Sequence, residues 1–424
     1  MLAKVNHVPS GYKTTELGEI PINWEVKKFT SVCTILKGQV SPLEEPFKSL
    51  PHIGNANVEK YTGKLLECRT AQEDNQISGK FFFKEEHVLY GKINPHFSKV
   101  AFPKFKGLCS ADMYPIECKG DLIPIYLKYL LLEPRFTKYA ISCSARTGIP
   151  KINRQELELF EFILPPKKEQ QKIADILSTV DEKIENIDQL ITKTRELKKG
   201  LMQKLLKKGI GHKEFKQSKL GDIPIEWESM LLKDVCEKIT DGTHHSPISY
   251  PTGDYMYITA KNIKENKIVL DKISYVTKEV HQEIYKRCDV KKNDILYIKD
   301  GATTGIAAIN NLNQEFSLLS SVALLRVKKN ILSPKFLMYC LNSPDIKRTM
   351  IGMMSGNAIT RLTLKKIQTG VVPLPTLEEQ QKIAQILSSV DKQIESYEQE
   401  KEKYIELKKG LMQQLLTGKL RVTL

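Results

Sequence analysis

Eighteen side chains in polar, glycine-punctuated loops have the chemistry to grip a polyanion. In the first half they are Lys37, Gln39, Asn55, Asn57, Lys92, Lys99, Arg146 and Lys151. In the second they are Thr243, His244, His245, Lys261, Asn262, Lys299, Thr303, Thr304, Asn357 and Arg361. Such side chains donate to phosphate oxygens or to base acceptors in a DNA groove. Turns in any protein use similar residues, so each loop is a candidate and no more.

Residues for covalent chemistry are not found in the needed patterns. No G-x-x-x-x-G-K-[ST] phosphate loop and no G-x-G-x-x-G nucleotide turn occurs. Asn94-Pro95-His96-Phe97 brushes the Asn-Pro-Pro-Tyr/Phe pattern of adenine methyltransferases, but His96 breaks it. His244-His245 after Asp241 suggests a metal at first sight, yet adjacent imidazoles on extended chain point apart. None of the eight cysteines forms C-x-x-C, which reads as reduced, mostly buried thiols. The sequence therefore predicts no catalytic residue and no metal or cofactor on this chain.

Charge supports a polyanionic partner. Net charge is +15 over 424 residues, with a pI near 9.2. Lysines that neutralise phosphates release condensed counterions, which favours binding. The duller alternative is a lysine-rich solvated surface. Apolar content of 41% is enough for real cores. No run approaches the roughly 18–20 apolar residues of a membrane span. MLAKVNHVPSGYK has no apolar signal core, so a cytoplasmic location is expected.

The elements that must hold those loops are written twice. Residues 169–206 and 379–416 align without gaps at an offset of 210, with roughly 25 of 38 positions identical. YKTTELGEIPINWE from Tyr12 matches FKQSKLGDIPIEWE from Phe215, and both tryptophans, Trp24 and Trp227, share one place in the repeat. The middles, roughly 38–120 and 239–330, share little. A common frame with two different inserts fits this contrast, and plain duplication with drift explains only the repeat.

The strongly matched segments are long helices. Ile173, Leu177, Val180, Ile184, Ile187 and Ile191 alternate four and three apart, and Ile383, Leu387, Val390, Ile394 and Tyr397 follow the same frame. That is a coiled-coil seam, and the cheapest partner for either copy is the other, paired antiparallel. Pro165-Pro166 and Pro375 set the helix starts. About 38 residues at 1.5 Å each make a rod near 57 Å. The apolar face broadens around Leu197, Leu201, Met202 and Leu205, and around Leu407, Leu411, Met412 and Leu415. Leu201, Met202, Leu205, Leu411, Met412 and Leu415 are thus expected to dock a partner subunit, with ordinary core as the alternative. Between Lys193 and Lys219 about ten basic residues meet two acids, which places that linker near phosphate or leaves it a solvated face.

The globular middles mix strands and short helices. FFFKEEHVLY, YMYITA and VALLRV read as strands, and IPIYLKYLLL and SPKFLMYCL as helices. The expected fold is α+β: two similar mixed α/β domains at 1–165 and 209–375, with long helices at 166–208 and 376–424, related by a pseudo-twofold internal repeat.

Two copies of Y/F-K-x-x-x-L-G-x-I-P-x-x-W, two of E-Q-Q-K-I-A-x-I-L and two of L-K-K-G-L-M-Q-x-L-L resemble the specificity subunits of type I restriction-modification enzymes. ITDGTHHSP, YITAKNI and LYIKDGATTG resemble that family's second recognition domain; KGQVSP stands where the first would match. The resemblance runs from Tyr12 to Val422. It implies two target recognition domains, each reading half of a bipartite, asymmetric DNA site. It implies docking of methyltransferase subunits on the helices and a motor-nuclease subunit beyond them, with AdoMet, ATP and Mg on those partners. A self-sufficient DNA methyltransferase or nuclease, and a coiled-coil scaffold without DNA binding, are the alternative functions.

Overall fold

A computed structural model of the chain describes residues 8–144, 148–354 and 361–423. The chain divides into two compact units. One holds Met1–Asp188 with Gln399–Leu424, and the other holds Gln189–Glu398. These divisions fall inside the long helices, Lys167–Lys208 and Leu377–Leu415, and not at their starts. The reason is packing: each globular part is covered by the first half of the helix that follows it and by the last turns of the other helix.

In the first unit, Cys33–Ile35, Met113–Cys118, Val88–Gly91 and Val100–Ala101 form a four-stranded antiparallel sheet in that order. In the second, Cys236–Asp241, Val322–Val327, Ile295–Ile298 and Ala307–Ile309 repeat the order. Helices Pro124–Leu132 and Pro134–Cys143 accompany the first sheet, and Pro334–Asn342 and Pro344–Gly352 the second. Proline opens all four, where its missing N–H costs nothing.

The units differ in a second, three-stranded sheet. His52–Ile53 runs parallel to Gly107–Cys109, and Phe81–Phe83 adds beside the latter. In the second unit Tyr255–Ile258 runs parallel to Phe316–Leu318, but Ser274–Val276 adds on the opposite edge, beside Tyr255–Ile258. A helix, Lys278–Arg287, follows it. The divergent middles therefore fold around the shared sheet in two ways. FFFKEEHVLY, expected as one strand, is two: Lys84–His87 turns the chain, with the Lys84 N–H donating to His87 Nδ1.

The repeated motifs have a structural reading. Glu169 accepts from Trp24 Nε1 at 3.0 Å and pairs with Arg421. Glu379 accepts from Trp227 Nε1 at 2.9 Å and from His212 and the Ile210 N–H. Gln170 receives the Ile123 N–H and donates to the Asp121 and Pro165 carbonyls. Gln380 does the same with Ser333, Ile331 and Pro375. The Glu-Gln pair thus bolts each helix start to its own globular part.

The second motif closes the other side. Asp181 takes Lys408 at 2.6 Å and the Tyr129 hydroxyl at 2.8 Å. Asp391 takes Lys198 at 2.7 Å and the Tyr339 hydroxyl at 2.7 Å. Within the first unit Asp181–Lys408 and Asp188–Lys401 run in opposite senses along the two helices, as do Arg195–Glu398 and Lys198–Asp391 within the second. The helices are antiparallel in each.

The six residues expected to dock a partner need correction. Met202 and Leu205 are buried in the second unit's core beside Trp227, and Leu201 packs against that core. Met412 and Leu415 are buried in the first unit's core beside Trp24, and Leu411 packs on it. Their broad apolar face is used up by the globular part that each helix end covers. Leu197 and Leu407, one repeat apart, are instead 54% and 48% exposed.

Glu379→Ala strands the buried Trp227 indole N–H and removes three hydrogen bonds. We expect the second unit to lose about 2–4 kcal/mol, because an orphaned buried donor carries its full desolvation cost. Chemical denaturation of the full chain measures it. An unchanged midpoint contradicts the bolt.

Candidate nucleic-acid interface

The two sheets present equivalent ends. In the first unit, strands Cys33–Ile35 and Val88–Gly91 finish, and Met113–Cys118 begins, at the same end, since Met113 pairs with Gly91 and Ile116 with Ile35. Lys37, Gln39 and Lys92 leave from there. In the second, Cys236–Asp241 and Ile295–Ile298 finish where Val322–Val327 begins. Thr243, His244, His245 and Thr303 leave from that end. Loops separated by over fifty residues are brought together. Ile93 bridges to Lys151, and Asp300 bridges to Arg361. Lys151 and Arg361 are exposed beside the loops they brace. Arg146 and Asn357 lie outside the described residues.

In the first unit the cluster is organised on an aromatic ring. Lys92 Nζ lies 5.2 Å and the Arg154 guanidinium 5.5 Å from the Tyr114 ring centroid, both within cation–π range. Arg154 also donates to the Ile35 and Leu36 carbonyls, at 2.5 and 2.9 Å, fixing the chain just before Lys37. Lys37 and Gln39 are exposed. Lys99 is committed to the main-chain carbonyl of Asn55, and burial, then nearby Lys60, lowers its pKa. Asn55 Oδ1 is buried with no hydrogen-bond partner among the described residues.

The second unit is organised on a buried carboxylate. Asp241 is ion-paired with Arg287 and with Lys299 at 3.4 Å, and His244 Nε2 lies 3.4 Å from it. Arg287 also meets His244 Nε2 at 3.1 Å. The following Gly242 lies against the Leu318 backbone, with no room for a Cβ. The loop's base is therefore rigid, and Thr243 Oγ1 closes its first turn on the His245 carbonyl. His244, His245 and Arg287 are exposed around a held centre.

Four expected contact residues serve the fold. Lys299 is buried between Asp241 and Asp300, and Thr304 caps back to the Gly301 carbonyl. Asn57 receives the Gly54 N–H and donates to the Glu67 carbonyl, and Asn262 does the same for Thr259 and Val269. The same pair of bonds in each unit makes Asn57 and Asn262 frame residues. Lys261 stays exposed. Asn94, in the methyltransferase-like run, is in a left-handed turn (φ 50°) and starts a short 3-10 turn.

Arg154 and Arg287 were missed. Arg154 follows an N-cap Asn153 whose box with Glu156 was readable, but its reach to Leu36 crosses most of the unit. Arg287 ends a helix that has no equivalent among the described residues of the first unit.

Ion pairs brace the strands beneath these loops. Burial opposes ionisation of Asp289, yet hydrogen bonds and charge from Lys238 and Arg326 pull its pKa down to about 2. A depressed carboxylate pKa gives stability above its ordinary 3.8 that is lost as pH falls toward 2. Asp289→Asn should cost about 2 kcal/mol at neutral pH and flatten the acid limb between those values. Urea titrations at a pH series check this, and parallel curves for both proteins contradict it.

Comparison with known proteins fits this arrangement. The sequence profile of the family described as type I restriction modification DNA specificity domain matches twice, at residues 21–195 and 224–407. The type I restriction enzyme MjaVIII specificity subunit of Methanocaldococcus jannaschii is 32% identical over 95% of this chain and 94% of its own. The type I restriction enzyme EcoDI specificity subunit of Escherichia coli is 32% identical over 51% of this chain and 46% of its own. The S subunit of a type I restriction-modification system from M. genitalium has the same fold, at a TM-score of 0.57 and 18% identity, covering 95% of this chain and 97% of that one. A chain from a structural study of type I R-M complex assembly gives 0.58 at 18% identity, covering 95% and 99%. The chain belongs to the type I restriction-modification specificity-subunit family.

Among the described residues no helix is long and apolar enough to cross a membrane.

Proposed function

We propose that this protein reads a bipartite, asymmetric DNA site for a type I restriction-modification complex and leaves the chemistry to its partners. One observation carries the reading: an equivalent sheet end is built in both units but furnished differently, on a Tyr114 platform in one and an Asp241-centred network in the other. A shared frame with unlike tips suits two readers of unlike half-sites. Methyltransferase subunits then supply adenine methylation, with AdoMet bound there, and a motor-nuclease subunit supplies cleavage with ATP and Mg. The complex works in the cytoplasm.

The test combines binding and chemistry. The full chain binds duplex DNA, and affinity falls steeply from 50 to 200 mM salt as phosphate-bound counterions are displaced. With labelled AdoMet and DNA, the chain transfers no methyl group until a methyltransferase partner is added. Methyl transfer by the chain alone makes it a self-sufficient enzyme. Absence of salt-sensitive binding makes it a scaffold.

A further inference from the structure

Three lysines of the second unit converge on a recess of about 270 Å³ with one carboxylate, Asp345, on its wall. Lys199 and Lys207 come from the last turns of the Lys167–Lys208 helix, and Lys219 from the turn of the Phe215–Pro224 hairpin. Arg348 faces them from the Pro344–Gly352 helix. Among the described residues the ammonium groups of Lys199, Lys207 and Lys219 have neither a hydrogen bond nor an ion pair, whereas that of neighbouring Lys198 is held by Asp391 and Glu265. The single acid on the wall, Asp345, lies 3.6 Å from Arg348.

The walls narrow the choice of ligand. Three point charges from two elements suit a compact oxyanion, since each ammonium donates without a preferred plane. An apolar floor that includes Met202 and Leu206 lowers the local dielectric and strengthens the attraction. No aromatic ring lines the recess, so nothing is there to stack on a base or nucleoside. The repeat shows that the frame does not demand two of these lysines, Lys207 and Lys219, whereas Lys199 has a counterpart in Lys409. The first unit has Thr417 for Lys207 and Glu16 for Lys219; Arg135 stands for Asp345, but donates to the Glu161 carbonyl.

We propose that this recess is a phosphate-binding site of the second unit and that it takes a backbone phosphate of bound DNA. It anchors the duplex without reading bases, so it adds affinity and salt dependence but no sequence preference. The DNA part rests on the DNA-reading function proposed above.

The experiment uses the full chain, a duplex bearing its modified site, and the variant K199A/K207A/K219A. All three lysines are at the surface, so folding is not at stake; matched thermal melts verify it. The plot of log binding constant against log salt should become shallower by about 0.9 for each phosphate no longer neutralised. Lys409→Ala, at the position in the first unit matching Lys199, should keep the wild-type slope. Inorganic phosphate titrated by calorimetry into the DNA-free protein should give heat that the triple variant loses. A wild-type slope in the triple variant together with retained phosphate heat, or with no heat in either protein, overturns the site. Heat lost with an unchanged slope assigns it to a free anion and overturns the DNA part. Failure of the wild type to bind DNA is a separate result, which strikes the DNA-reading function instead.

Discussion

A chimera carrying residues 218–375 from a relative should modify DNA at a site with one half changed and the other intact. The exchanged span contains every described loop of the second sheet end: Thr243–His245, Thr303 and Arg361, with Arg287 between them. It contains none of the first unit's set. Each wrong base pair in a recognised half costs about 1–3 kcal/mol. Three changed pairs therefore shift preference by at least about a hundredfold, and the old half-site should fall to background in methylation mapping. Base pairs between the halves should tolerate change, apart from costs of DNA shape. The structure adds a condition on the donor. Its domain must accept Met202, Leu205 and Leu206 in its core, keep a tryptophan for Glu379, and keep a tyrosine for Asp391. A chimera that folds but changes both halves, or a natural site that is one continuous palindrome, ends the two-reader account.

What was legible in the sequence follows from where the duplication left its mark. The frame was readable because each motif answers a geometric need that recurs. Glu169 and Glu379 each need a tryptophan, and Gln170 and Gln380 each tie three backbone groups, so both copies kept their residues. The long helices were readable from their seam. The ends of those helices were misread for one reason. Periodicity gives the width of an apolar face but not what covers it, and at Met202 and Met412 the cover is a globular core. The contact residues were the least legible. Lys299 looked like a loop cation, but Asp241, 58 positions earlier in the chain, buries it. Arg287 and Arg154 gain their places from strand order, which no local spacing announces.

The helix ends give the sharper test of that correction. Met202→Asp and Met412→Asp each put a carboxylate where the side chain is under a tenth exposed and packed into an apolar core. Losing the apolar side chain costs about 2–5 kcal/mol, and burying part of a carboxylate adds to that. Total stabilities are of order 5–15 kcal/mol, so the affected unit should unfold or melt far below wild type. Leu197→Asp and Leu407→Asp behave otherwise. Both side chains are about half exposed, and a surface change of this kind shifts stability by about 0.5 kcal/mol or less. Each sits at the same repeat position, among lysines and glutamates. These leucines are where a methyltransferase subunit should lose its grip, tenfold or more for each aspartate if each leucine supplies about 1.4 kcal/mol of binding. Thermal melts and a pull-down with the partner separate the two pairs. If Met202→Asp melts like the wild type and loses only its partner, the helix ends are docking surfaces after all. If Leu197→Asp and Leu407→Asp leave assembly at full strength, the partner binds elsewhere.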